Sequence, residues 1–286
     1  MPPSLVRIDP ATGRIVAHAP IGGGAGPVIA AGTLWTAAPG SGGKGSQTNN
    51  PSAPSDGCPG HLADTPLEPT LCSETTPNVQ VRGYSLTTLA PVTSITVPFP
   101  IPGRNAQTAL TAGPDGRVIV AAGDSVAVVD PATRHVVRRI QVAGGQLPVL
   151  AVRPDGKRLY AGVNVSGVFR LQTYELANGA LLTTSSMNDG GNVSTIVATA
   201  GGVWGITGSG MSDWVFFAPA ADLAHAVTVG GGGGGGLAAS IAISDGVAWI
   251  GGTHRISCAE PSTGHVRASA VIPPDHSDTA VGHDGG

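Results

Sequence analysis

The chain has 286 residues, a formal net charge of −3 and 12% charged residues, about half the usual share. No basic cluster exceeds the pair Arg138-Arg139, which excludes a nucleic-acid footprint. No apolar run approaches the roughly 20 residues that a membrane-spanning helix needs.

Hydrophobic residues make up 41% of the chain and aromatics 4%, with 44 glycines and 24 prolines. Many Gly/Pro turns between short Val/Ile/Thr/Ala runs point to an all-β protein of short strands. The first residues, MPPSLVRIDP, have no basic n-region and no long apolar h-region, so they do not read as a secretory signal.

Taken in chain order, two kinds of hairpin alternate. The first copy of one kind is LVRIDPATGRIVAHAPI from Leu5, two β-rich runs around an acidic turn. The first copy of the other is GPVIAAGTLWTAA from Gly26, two apolar runs around a glycine turn. After a polar stretch come VRGYSLTTLAPVTSITV from Val81, TALTAGPDGRVIVAAG from Thr108, VAVVDPATRHVVRRIQV from Val126 and LPVLAVRPDGKRLYAG from Leu147. There follow FRLQTYELANGALLTT from Phe169, STIVATAGGVWGITG from Ser194 and WVFFAPAADLAHAVTV from Trp214. ASIAISDGVAWIGG from Ala239 and RISCAEPSTGHVRASAVI from Arg255 complete the series. The last ten residues, SDTAVGHDGG, read as the first strand and turn of one more glycine-turn hairpin.

One unit of both hairpins therefore spans roughly 40–45 residues and holds four strands, the period of a β-propeller blade. A small twisted sheet buries its faces only by stacking on its neighbours. The expectation is a single propeller domain over 1–286 with about six four-stranded blades, five to seven allowed. The ring is expected to close by pairing the N-terminal acidic-turn hairpin with the C-terminal strand. The Pro-Asp-Gly, Ser-Asp-Gly and Asp-Pro-Ala-Thr-Gly segments are hairpin chemistry: Pro presets φ, Asp bonds nearby backbone and Gly takes positive φ. Turn formation accounts for these acidic residues without a ligand. Trp35, Tyr160, Trp204 and Trp249 fall in the same strand of the unit, as inter-blade packing requires.

RIDPATGRIV together with RPDGKRLYAG resembles the YVTN-type repeats of bacterial β-propellers, in the broad WD40-like group that also holds quinoprotein amine-dehydrogenase-like and streptogramin-lyase-like propellers. The Ala/Gly/Pro-rich composition looks like a high-GC actinobacterial product. The resemblance covers nearly the whole chain and implies binding or surface proteins. It supplies no catalytic residues. The lyases would carry a Trp-Phe-Thr-Glu-like inner strand, where this chain has LWTAA, VIVAA, LYAGV and VWGIT. No pattern for a quinone or other cofactor is visible, and none is expected.

The polar insertion at 38–78 interrupts the first glycine-turn hairpin. It is Pro/Gly/Ser-rich and lacks strand periodicity; a loop of that length in a compact domain is functional or disordered. Cys58 and Cys72 lie in it, and a disulfide between them would pin it, worth roughly 3 kcal/mol for a loop of about 15 residues. Such a bridge places the protein in an oxidising compartment, extracellular or at the cell surface. His61, Asp64 and Glu68 are the candidate ligand-binding residues of this loop; a pinned loop without a ligand is the competing reading. Cys258 stands alone on a strand and is expected to be a buried thiol. Gly230 to Gly236 form a connector between units, with no phosphate-loop context. His254, His276 and His283 gather near the C-terminus with Asp275, Asp278 and Asp284, without a tight metal-ligand spacing. The leading functional expectation is a non-enzymatic binding or interaction module whose partner is a protein or small molecule. A metal-dependent hydrolase or lyase at the central channel is the alternative, and a sensor segment of a larger protein is the third.

Overall fold

The computed structural model describes residues 4–9, 11–21, 25–39, 78–99, 108–144, 146–165, 168–186, 192–208, 213–231, 238–252 and 255–271. They form six antiparallel sheets and no helix. The first sheet is the pair β1 (Ser4–Ile8) and β2 (Ile15–Pro20). The second holds β3 (Ala25–Ala30), β4 (Thr33–Pro39), β5 (Asn78–Ser85) and β6 (Pro91–Pro98). The third holds β7 (Thr108–Ala112), β8 (Val118–Ala122), β9 (Ser125–Asp130) and β10 (His135–Gln141). The fourth holds β11 (Gln146–Val152), β12 (Arg158–Val165), β13 (Val168–Glu175) and β14 (Leu181–Ser186). The fifth holds β15 (Asn192–Ala198), β16 (Gly202–Gly208), β17 (Asp213–Pro219) and β18 (Val227–Gly231). The sixth holds β19 (Ala238–Ser244), β20 (Val247–Gly252), β21 (Arg255–Ala259) and β22 (Val266–Val271).

Each four-stranded sheet is a simple up-and-down meander in sequence order. The first strands pack in series, β3 on β7, β7 on β11, β11 on β15 and β15 on β19. This is the arrangement of propeller blades about an axis, with six blades as the repeats require. The first blade has two strands among the described residues. The C-terminal strand expected to join it falls within 272–286, outside the described residues, as do Cys58 and Cys72 with their proposed bridge.

The turns explain the hairpins. Asp9 and Asp130 each accept the backbone N–H two residues on, from Ala11 at 2.9 Å and Ala132 at 2.8 Å. Those bonds hold both carboxyls below the usual carboxylate range. Asp115 and Asp155 accept from Arg117 and Lys157 in the same way. At Ala31-Gly32 and Asp245-Gly246 both residues have positive φ, 47° and 70° in one turn and 49° and 71° in the other. Those are two-residue hairpin turns of the primed kind, whose twist matches that of the strands.

The core is divided among the junctions between sheets. Trp35 with Val79, Val81 and Val97 packs onto Val118, Val120 and Ala127 of the third sheet. Ile119 and Val128 meet Leu159, Ala161 and Tyr174 of the fourth. Tyr160, Phe169 and Leu171 meet Val203, Phe216 and Ala218 of the fifth. Trp204, Ile206 and Phe217 meet Ala248 and Ala259 of the sixth. Leu5 and Ala19 of the first sheet meet Tyr84 and Leu89 of the second. One polar network ties the link between the third and fourth sheets. The Tyr174 hydroxyl donates to Gln172 Oε1 at 2.7 Å, Gln172 Nε2 donates to the Ala143 carbonyl at 2.8 Å, and the Ala143 N–H donates to the Tyr174 oxygen at 3.1 Å.

The equivalent aromatic positions differ at one end. Trp35, Tyr160 and Trp204 are buried, whereas Trp249 is 42% exposed. Cys258, expected to be buried, is half-exposed and carries a free thiol. It pairs with Trp249 and so shares its face.

Tyr160 is fully buried, and its hydroxyl has no partner of good hydrogen-bond geometry among the described residues, the Arg158 side chain being its nearest donor. Burial pushes its pKa up from the ordinary value of 10.0. Replacing Tyr160 with Phe removes an unsatisfied buried polar group, and should raise unfolding stability by about 1–2 kcal/mol. The sign with pH follows from the raised pKa. The folded state disfavours the phenolate, so stability is unaffected below pH 10 and falls as pH rises beyond it. The variant should retain more of its stability on the alkaline side, with Tyr174, whose pKa burial also raises, supplying the remaining slope. Urea unfolding at neutral pH and above pH 10 measures both effects; an unchanged or lower stability for the variant contradicts them.

Candidate functional site

Strand β5 alternates strictly. Val79 and Val81 point into the junction with the third sheet, which places Gln80, Arg82 and Tyr84 on the opposite face, toward the first sheet. Tyr84 is covered by Leu5 and Ala19. Beyond that contact the two sheets diverge, and a groove of about 530 Å³ opens between them. It is lined by Ala19, Pro20, Arg82, Tyr84, Pro91, Val92, Thr93 and Ser94.

The chemistry of the groove is uneven. Pro20, Pro91, Val92 and Ala19 give it an apolar wall. Gln80 lies one step further along the strand and is committed: it donates to Thr96 Oγ1 at 2.8 Å and accepts from Ser94 Oγ at 3.0 Å. Arg82 is exposed and has no ion-pair partner among the described residues. Among the described residues no acidic side chain lines the groove. The nearby Arg7 is already used, donating to the Thr87 carbonyl at 2.7 Å and clamping the first sheet to the outer turn of the second. A guanidinium with no ion-pair partner among the described residues, set beside an apolar wall, is suited to a carboxylate attached to an apolar or extended body.

Gly83 keeps β5 close to its neighbours. A Cβ there would meet Thr93 Cγ2 at 2.8 Å, Thr33 Cγ2 at 3.0 Å and the Trp35 ring at 3.1 Å. The glycine thus fixes the backbone that presents Arg82. Sequence reasoning did not single out Arg82. That it has no ion-pair partner among the described residues emerges only when the sheets are packed, although the alternation Val79-Gln80-Val81-Arg82 marks its face.

The sequence candidates His61, Asp64 and Glu68 lie outside the described residues. The insertion that carries them leaves β4 after Pro39 and re-enters at Asn78, and Pro39 pairs with Val79. Arg82 is four residues along β5 from that root, on the order of 13 Å at the rise of a strand. His254, His276 and His283 also lie outside the described residues. Among the described residues no three His, Cys, Asp or Glu side chains come together as a metal site. The closest imidazole–carboxylate pair there is exposed, with His225 Nδ1 at 2.5 Å from Asp222 Oδ2 in one outer turn.

The five strands nearest the axis are as informative as the groove. They read AGPVIA, TALTA, QLPVLAV, NVSTIVA and AASIAIS. None contains an acid, a base, a thiol or a phenol.

No family model matches the chain, and no curated protein matches it. Solved structures do. The hydrazine synthase of Kuenenia stuttgartiensis is similar over 90% of this chain and 70% of its own, with a TM-score of 0.59 and 13% identity. The Dos1 propeller aligns over 66% of this chain and 53% of its own, at a TM-score of 0.47 and 12% identity. The β-propeller domain of Cps50 (Swd1) from Myceliophteria thermophila aligns over 60% and 56%, at 0.45 and 12%. At such identities the likeness is one of architecture, and the chain has a β-propeller fold.

Proposed function

We propose that the protein is a non-enzymatic binding module of the propeller type, belonging with the YVTN-type repeat proteins and acting outside the cytoplasm. The membership is supported by the Asp-Pro-Ala-Thr-Gly and Arg-Pro-Asp-Gly repeats, and the location by the two cysteines of the 38–78 insertion. The observation that carries the binding reading is Arg82, an exposed guanidinium beside an apolar wall with no ion-pair partner among the described residues. A hydrolase or lyase at the channel needs a positioned acid, base or metal ligand; the five described axial strands carry none, and the sixth, expected within 272–286, lies outside the described residues. Recognition chemistry lies instead at the outer groove around Arg82. Its ligand is an extended protein segment with a carboxylate, from an acidic side chain or a free C-terminus, flanked by apolar residues.

An array of peptides, acidic and neutral, with free and amidated C-termini, tests this on the purified chain. Acidic or free-C-terminal peptides should be retained, and Arg82→Glu should weaken them about tenfold or more, as expected when a charge-assisted hydrogen bond is reversed. Retention that is indifferent to peptide charge, or unchanged in Arg82→Glu, overturns the groove as the site. Turnover of a panel of ester, lactone and phosphate substrates that EDTA abolishes would favour the metal-dependent enzyme instead.

A further inference from the structure

Gln172 and Tyr174 of the fourth sheet form a clamp for main chain. They lie two residues apart on β13, on the face that looks toward the third sheet, and both are buried. Together they hold a single residue, Ala143, just beyond the end of β10. The Ala143 carbonyl accepts from Gln172 Nε2, and the Ala143 N–H donates to the Tyr174 oxygen. The Tyr174 proton goes to Gln172 Oε1, so the hydroxyl both donates and accepts.

Arg82 and Tyr84 occupy the same two places on β5. Trp35 pairs with Gly83 as Tyr160 pairs with Thr173, and Leu34 with Tyr84 as Leu159 with Tyr174. In both sheets the register with the last strand shifts just before the tyrosine. The turns that follow close alike, with Leu89 N–H on the Ser85 carbonyl at 2.9 Å and Gly179 N–H on the Glu175 carbonyl at 2.8 Å. Leu89 and Gly179 both have positive φ. Each tyrosine packs on the preceding sheet. The groove beside Tyr84 is bounded by Ala19 and Pro20, at the end of that sheet's last strand, the counterpart of the end of β10. The second pair has arginine in place of glutamine. Among the described residues, neither Arg82 nor the Tyr84 hydroxyl has a side-chain hydrogen bond or an ion pair.

The exchange changes what such a clamp can hold. Glutamine gives the tyrosine proton an acceptor, whereas a guanidinium has only donors. The Tyr84 proton and the Arg82 fork therefore both need acceptors from a ligand. One carbonyl has too few lone pairs for them, and a carboxylate has about four acceptor positions. Taking Arg82 as the binding site proposed above, we infer that the groove reads a free C-terminus. The terminal carboxylate accepts from the Arg82 guanidinium and the Tyr84 hydroxyl, and the N–H of the terminal residue donates to the Tyr84 oxygen. A terminal residue carries its N–H and its carboxylate on one Cα, the arrangement that Ala143 presents to Gln172 and Tyr174. An Asp or Glu side chain sets its carboxylate one or two methylenes away from the main chain and loses that match. The residues before the terminus lie along Pro20, Pro91 and Val92.

Fluorescence polarisation with the full chain tests it. Short apolar peptides, labelled at the N-terminus, are compared as the free acid, as the C-terminal amide and as an amide with one internal glutamate. The free acid should bind, amidation should weaken it about tenfold or more, and the internal glutamate should not restore the loss. Tyr84→Phe keeps the ring that packs on Leu5 and Ala19, and should weaken the free acid about fivefold through the lost hydroxyl. Arg82→Gln, which installs the fourth-sheet pair, should remove the preference for the acid over the amide. If the glutamate-bearing amide binds as tightly as the free acid, and Arg82→Glu weakens both, the C-terminal reading is overturned while Arg82 stands as the site. Unchanged free-acid binding in Tyr84→Phe overturns it as well. If no peptide responds to Arg82→Glu, the groove reading falls, and this inference with it.

Discussion

Replacing Trp204 with alanine is expected to cost about 3–5 kcal/mol of unfolding free energy, in the range of large-to-small changes at buried aromatic sites. The indole is fully buried, stacks at a tilt on Phe217 with centroids 5.1 Å apart, and fills the junction between the fifth and sixth sheets. Its N–H also shares the Pro261 carbonyl with the Thr199 hydroxyl, each bond being 3.0 Å. Two contributions are therefore mixed, and Trp204→Phe separates them. The phenyl ring retains much of the apolar area but donates nothing, so the loss of the hydrogen bond adds about 1 kcal/mol to a smaller packing loss. Guanidinium unfolding of the three proteins measures the series. Equal stabilities for Trp204→Ala and the parent would mean that this junction holds nothing together.

The second large effect is one of overfilling. Gly205 lies on β16 directly opposite Phe216 of β17. A Cβ at 205 would stand 2.2 Å from one carbon of the Phe216 ring and 2.4 Å from another. Phe216 is itself buried in the junction with the fourth sheet, so its ring has little room to withdraw. Gly205→Ala should destabilise by about 1–3 kcal/mol or somewhat more, as overpacking does. Trimming the partner relieves the clash: adding Phe216→Leu to Gly205→Ala should cost less than Phe216→Leu costs alone plus Gly205→Ala alone. The double-mutant cycle should give a coupling of about 1–2 kcal/mol. Additive losses would place the strain elsewhere.

Much of this architecture was legible because propeller sheets are specified by local chemistry. Asp9, Asp130, Asp115 and Asp155 bond their own turns, as their residue type and the neighbouring Pro and Gly suggested. Four strands per roughly 40–45 residues set the sheet count. The aromatics of four second strands were assigned to inter-sheet packing, which holds for Trp35, Tyr160 and Trp204 but not for Trp249, which is exposed. Similar roles were nevertheless met by different bonds. Trp35 donates to Ala30 of its own sheet and Trp204 to Pro261 of the next, a difference no repeat alignment contains. Cys258 was harder still. Its half-exposure follows from its place beside Trp249 on the outer face of the sixth sheet, a matter of which faces are packed and not a property of the strand. Arg82 was overlooked because its lack of an ion-pair partner among the described residues depends on what approaches it, which the strand itself does not state. The loop residues singled out from composition, His61, Asp64 and Glu68, have no structural description with which to compare them.

The meander order of the sheets leaves the fourth strand of every complete sheet with one side unpaired. The molecule guards these rims unequally. Strand β6 begins and ends with proline, and β10 carries Arg138 and Arg139, the latter with its guanidinium 5.8 Å from the centre of the Phe99 ring. Strand β14, LLTTSS, has no charge and no proline, and Leu181 and Leu182 are both exposed on it. In crowded solution that rim, like the shorter β18 (VTVGG) that also lacks charge and proline, is open to a foreign strand, and β14 offers it the longer apolar edge. A single lysine there would do for β14 what the arginine pair does for β10.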